Sequence, residues 1–193
     1  MAMNIGLARR SANAADVCGD NAGAWTAQAT EVLAIADGLG HGRDAAVAAS
    51  AALDIVASWS GLDALDLFKR MNETLRATRG AAVSVATIDW AASRVSYTAV
   101  GNTRAAVFGE RTQRLDGYAG IVGGGYRRLQ SVSATFTRGD VLALWTDGVD
   151  EGLSIRSADR GAGSLDDMAA GLLARFAKGN DDACVIVASL ALT

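Results

Sequence analysis

The sequence predicts an α+β fold in which antiparallel β-sheet, in two stacked layers, is covered by helices. Three observations predict it. Two helical patterns stand together between an early strand and a middle series of strands. The strands beyond residue 80 follow one another through short connections, which join antiparallel neighbours, because parallel ones need long crossovers. Half of the 193 residues are hydrophobic, enough for one domain over residues 1–193 to bury roughly 70% of its unfolded surface.

The elements follow in order. Asn4 to Arg10 reads as a strand, followed by a turn around Gly19-Asp20-Asn21. Glu31 to Ala36 is a short apolar run, a buried strand that delivers Asp37 to a loop. Arg43 to Trp59 is Ala-rich and helical. From Leu62 to Thr78 the residues Leu62, Leu65, Phe68, Met71 and Leu75 recur at three- and four-residue spacing on one helical face. Gly61 separates these helices and Gly80 stops the second. The period then changes to two. Strands are expected at Ala82–Asp89, Arg94–Val100, Arg104–Phe108, Ser131–Thr137 and Val141–Thr146. A last helix runs from Ser164 to Ala177, with Ser164 and Asp167 at capping-box spacing. Ala183 to Leu190 closes the chain as a strand.

Composition excludes several functions. A net charge of -3 is a poor footprint for nucleic acid or anionic membrane. The two cysteines, Cys18 and Cys184, form no C-x-x-C pair, so they read as free thiols in a reducing compartment. The N-terminus has no signal-peptide pattern, and no apolar run reaches the ~18 residues of a membrane helix. A cytoplasmic chain is expected. A single histidine, His41, with no G-x-S-x-G elbow, argues against a Ser-His-Asp triad. The glycines at 38, 40 and 42 lack the Gly-Lys-Ser/Thr ending of a P-loop.

What recurs is Asp at strand ends. Asp37-Gly38 and Asp147-Gly148 each end an apolar strand, Asp181-Asp182 precedes the last one, and Asp20 lies in the first turn. Carboxylates brought to one sheet edge repel one another, and divalent cations relieve the repulsion. Oxygen ligands without His or Cys point to Mg²⁺ or Mn²⁺. Two such ions can hold a bridging hydroxide for in-line attack on phosphorus. The Gly after each Asp is expected to permit a sharp turn and to expose a carbonyl. Any single Asp-Gly is an ordinary turn; Gly139-Asp140 is read that way, and the Arg127-Arg128 pair as a solvated loop. The tryptophans at 25, 59, 90 and 145 read as packing.

The order of these motifs resembles the PPM (protein phosphatase 2C) superfamily in its bacterial SpoIIE-like branch. The resemblance runs over residues 5–190. It is carried by Gly19-Asp20, Asp37-Gly38-Leu39-Gly40-His41-Gly42, Gly101-Asn102, Thr146-Asp147-Gly148-Val149-Asp150-Glu151 and Asp181-Asp182. It implies a four-layer αββα sandwich and a Mn²⁺- or Mg²⁺-dependent serine/threonine phosphatase holding two ions. It further implies that Asp37 bridges both metals and that Gly38 offers its carbonyl to one. Asp147 and Asp181 would ligate the other, and Asp20 would act directly or through water. Asp181 ranks above Asp182. Leu39 stands where eukaryotic relatives have His, and no phosphate-gripping Arg is placed; a metal-bound water is the default acid, with His41 behind it. The near-absence of sequence outside the catalytic region implies a stand-alone phosphatase acting on phosphorylated STAS-domain proteins, a stressosome scaffold or an anti-sigma antagonist, in a stress-response partner-switching module. Two alternatives are a catalytically silent module docking the same partners, and a phosphatase of an anti-sigma antagonist in another branch.

Overall fold

The computed structural model describes residues 3–13, 17–27, 30–59, 63–160 and 163–191. Among them the elements run β1 (Ile5–Arg10), β2 (Asp20–Ala27), β3 (Thr30–Gly38), α1 (Arg43–Ala57), α2 (Ala64–Leu75), β4 (Ala81–Asp89), β5 (Arg94–Val100), β6 (Arg104–Phe108), β7 (Thr112–Leu115), β8 (Gly120–Ile121), β9 (Gly125–Tyr126), β10 (Ser131–Thr135), β11 (Asp140–Trp145), α3 (Leu165–Phe176) and β12 (Ala183–Leu190). One five-stranded sheet has the order β1-β12-β11-β6-β7, the other β10-β5-β4-β3-β2, and all their pairings are antiparallel. β8 and β9 form a separate two-stranded hairpin.

Three apolar layers hold the stack together. Leu33, Ile35, Ile88 and Tyr97 of one sheet meet Leu142, Leu144 and Ile186 of the other. Val32, Ala34, Ala36, Val83 and Val85 face α1 and α2. Ala143, Trp145, Val185 and Val187 face α3. The result is the αββα sandwich. Alternation along β3 explains how one strand serves two layers, since successive side chains point to opposite faces.

The helices follow their local chemistry. α1 buries Ala45, Ala48, Ala49 and Ala52, small residues that let its backbone lie close to the sheet. The Asp63 side chain caps α2 by accepting from Leu65 N at 2.8 Å. The Ser164–Asp167 capping box opens α3, with Asp in the place usually taken by Glu.

Several expectations need correction. Gly19-Asp20-Asn21 is not a free turn: Asp20 and Asn21 open β2, which pairs with β3 over its whole length. Asp37 and Gly38 lie inside β3 rather than beyond it. α2 buries Leu67 beside Phe68, Met71 and Leu75, whereas Leu65 is exposed. The helix ends at Leu75, before Gly80, where Thr78 N and Oγ1 both donate to the Leu75 carbonyl. Gly61 and Leu62 lie outside the described residues. Gly139-Asp140 is the expected turn, with Asp140 Oδ2 accepting from Thr137 N. No described helix is long and apolar enough to cross a membrane.

Candidate metal centre

Strand parity places the acidic residues. Leu33 and Ile35 of β3 face the space between the sheets, so Asp37 continues that row at the strand's end. The register sets Asp20 directly opposite it on β2. In the other sheet Leu142 and Leu144 face inward from β11, and the chain runs on through buried Thr146 to Asp147. Thr146 Oγ1 accepts from Cys184 N at 2.9 Å, which ties the end of β11 to the start of β12 and thus to Asp181. The acidic residues therefore gather where the two sheets end together.

A cleft of about 450 Å³ opens there. Asp37, Asp147, Asp181 and Asn102 line it, with Leu39, Ala82 and Ile121 on its walls. Asp20 stands outside this lining, 1% exposed, and its Oδ2 has no hydrogen-bond partner. His41, the fallback acid, is in the exposed loop before α1 and outside the lining.

Burial and mutual repulsion dominate the electrostatics. Burial pushes the Asp37 carboxyl up to about 9, helped by the charges of Asp20 and Asp147 and by a hydrogen bond with the Asp147 carboxyl. Burial raises Asp20 to about 7; the Thr146 hydroxyl opposes the shift, and Asp182, Asp147 and Asp181 add to it. Asp181 is also raised, by burial and then by Asp147, with Lys178 opposing. The fold thus holds carboxylates where their charged forms lack compensation.

Divalent cations are the natural complement. The orphaned Asp20 oxygen and the all-oxygen donor set fit Mg²⁺ or Mn²⁺. Among the described residues no three Asp, Glu, His or Cys side chains form a ready cage.

The glycines act differently from the sequence expectation. Neither Gly38 nor Gly148 has a positive φ, so neither is needed for a sharp turn. A Cβ on Gly38 would overlap the Ala45 carbonyl of α1, and one on Gly148 would overlap the Asp182 carbonyl. Both are close-packing positions that bring the elements of the site together.

Three residues support the acidic cluster. Asn102 Nδ2 donates to Asp147 Oδ2 at 2.6 Å, and Lys178 Nζ to the Asp147 carbonyl at 2.8 Å. Asp182 accepts from Ala12 N and Gly19 N, both at 2.7 Å, and so clamps the approach to β2. With both oxygens engaged this way, Asp182 is a structural partner. Gly101-Asn102 was visible as a motif; nothing in the sequence marks Lys178.

A pH dependence follows. Asp20 and Asp37 have folded values of about 7 and about 9 against 3.8, so the metal-free folded chain binds more protons than the unfolded one. The stability associated with these protons is present below about pH 4 and is lost as pH rises through about 7 and 9. The Tm of the metal-free protein is expected to fall across that window, and excess Mg²⁺ to raise Tm more at its alkaline end. Scanning calorimetry with and without chelator checks both; a metal-free Tm that rises from pH 5 to 9 contradicts them.

The αββα sandwich matches the fold of solved PP2C-type phosphatase domains, the class to which this architecture belongs. Residues 28–191 match the family model for Stage II sporulation protein E (SpoIIE). The chain belongs to the SpoIIE family. It is 28% identical over 137 residues to phosphoserine phosphatase RsbX of Bacillus subtilis (strain 168), covering 69% of this chain and 68% of that protein. Among solved structures, a chain described under the bacterial stressosome as a modular system adapted to control secondary messenger signaling aligns with TM-score 0.89. It is 24% identical over 97% of this chain and 100% of its own. RsbX in complex with magnesium aligns with TM-score 0.78 at 21% identity, over 97% and 99%.

Proposed function

We propose that this chain is a Mn²⁺- or Mg²⁺-dependent phosphatase that removes phosphate from phosphoserine or phosphothreonine on STAS-domain proteins of a cytoplasmic partner-switching module. The observation that carries the reading is the convergence of Asp37, Asp147 and Asp181 on one cleft, with Asp20 buried behind them. The 28% identity to a phosphoserine phosphatase supports the substrate class. The match to a stressosome chain supports the regulatory setting.

In this reading Asp37 would serve both ions, Gly38 would add its carbonyl, Asp147 and Asp181 would hold the second ion, and Asp20 would act through water or directly. Bound ions supply positive charge for the phosphoryl oxygens and lower the pKa of water for hydrolysis. The chain's own residues set the geometry. Asn102 fixes the Asp147 carboxylate, Lys178 fixes its backbone, and the Asp182 N–H donates to Asp181 Oδ1 at 2.9 Å. Leu39, Ala82 and Ile121 form apolar walls beside the acidic residues.

The test is turnover of p-nitrophenyl phosphate and of a phosphorylated STAS-domain protein. Activity that appears with Mn²⁺ or Mg²⁺ and vanishes with chelator is expected. Stable docking of the phosphoprotein with no phosphate release under any divalent ion would replace this reading by that of a silent binding module.

A further inference from the structure

We propose that Arg79 receives the substrate's phosphate at the rim of the cleft, exchanging its ion pair with Asp44 for the phosphate oxygens. The proposal rests on the phosphatase reading above and names a residue for it. A phosphomonoester carries close to two negative charges, and among the described residues lining the cleft it must enter are Asp37, Asp147 and Asp181 and no cationic side chain. A cation at the mouth would offset part of that repulsion.

Arg79 is placed for this by backbone contacts. It lies in the turn between α2 and β4, where Gly80 N donates to Thr78 Oγ1 at 3.0 Å. The Gly80 carbonyl accepts from Leu39 N at 3.0 Å, so the turn is tied to the loop that leaves Asp37. The side chain reaches over that same loop: a methyl group on Gly40, which lines the cleft, would sit 3.0 Å from Arg79 Nη1. Gly40 has φ +92° and no side chain, which leaves the guanidinium room beside the cleft.

The present partner of Arg79 is replaceable. Nη2 meets Asp44 Oδ2 at 2.7 Å, with the two side chains 50% and 63% exposed. Exposed pairs of this kind hold weakly, whereas a planar guanidinium matches a phosphate with two parallel hydrogen bonds. Lys178 is the competing cation. Its Nζ is committed to the Asp147 carbonyl, its N–H to Gly148 O, and its carbonyl to Arg10 Nη2. Lys178 therefore belongs to the support of the Asp147 loop.

The experiment measures inhibition by inorganic phosphate of Mn²⁺-supported p-nitrophenyl phosphate turnover in wild type, Arg79→Ala, Arg79→Lys and Asp44→Asn. In Arg79→Ala the phosphate inhibition constant and KM are expected to rise about 10- to 100-fold, with kcat changed less. Arg79→Lys should recover part of the loss. Asp44→Asn should lower the inhibition constant, because it frees the guanidinium. Values for Arg79→Ala within twofold of wild type overturn the proposal. So does an equal rise in Arg79→Ala and Asp44→Asn, which would make the ion pair structural. An active wild type with an unshifted Arg79→Ala refutes Arg79 alone; an inactive wild type with every divalent ion refutes the phosphatase reading as well.

Discussion

Asp37→Asn is expected to lose on the order of 10²-fold or more in kcat, because it removes the carboxylate proposed to be shared by both ions. The same substitution is expected to make the metal-free protein more stable. Burial and the neighbouring carboxylates raise the Asp37 carboxyl to about 9, so ionising it in the folded state is unfavourable, and a neutral amide of the same shape avoids that cost. The gain should grow as pH rises toward 9. Activity and stability therefore move in opposite directions, the pattern of a residue retained for function. Steady-state kinetics and thermal melts of the two proteins check it. A variant that keeps wild-type turnover, or melts lower than wild type at pH 9 without metal, contradicts it.

Gly38→Ala is expected to destabilise the fold by about 3 kcal/mol. Its new methyl would overlap the Ala45 carbonyl, carbon and Cα, which are backbone atoms of a helix and have no rotamer to yield. α1 would have to lift from the sheet at the end nearest the cleft, so turnover should fall with stability. At about 2–4 °C per kcal/mol for a chain of this size, Tm should drop by about 6–12 °C. Gly171→Ala is the contrast. Gly171 is in the interior of α3 with nothing within 4 Å of a new Cβ, so alanine should stabilise by about 0.5–1 kcal/mol through helix propensity and unfolded-state entropy. Calorimetry of both variants separates a close-packed glycine from a merely permissive one; equal shifts would refute the distinction.

The contrast also explains what the sequence revealed and what it withheld. β3, β11 and β12 were legible because their apolar runs report burial on both faces, and their ends placed Asp37, Asp147 and Asp181. β2 was not: Asp20-Asn21-Ala22-Gly23-Ala24 has turn chemistry and little alternation, and it becomes a strand through its pairing with β3. β8 and β9 are short and Gly-containing, held by Val122 exchanging hydrogen bonds with Ala81 and by Gly123 N donating to Asn72 Oδ1. Local rules do not report contacts that far along the chain. The glycines after Asp37 and Asp147 failed for the same reason. Local chemistry reads them as turn formers, yet their necessity comes from Ala45 and Asp182. Leu65 was misassigned because a three-and-four spacing fits two adjacent helical stripes, and packing against the sheet selects the one through Leu67. The sequence places Asp20 in the first turn, and the resemblance makes it a metal residue; its burial opposite Asp37 is a property of strand register.

The most direct test of the proposed centre is a calorimetric titration of Mn²⁺ into the metal-free protein and into Asp37→Asn at about pH 8. Saturable binding in the wild type, with proton release as Asp20 and Asp37 give up protons held by burial, and its loss in Asp37→Asn is the predicted result. Undiminished binding in Asp37→Asn, or no binding of any divalent ion to the wild type, would contradict a metal centre organised around Asp37.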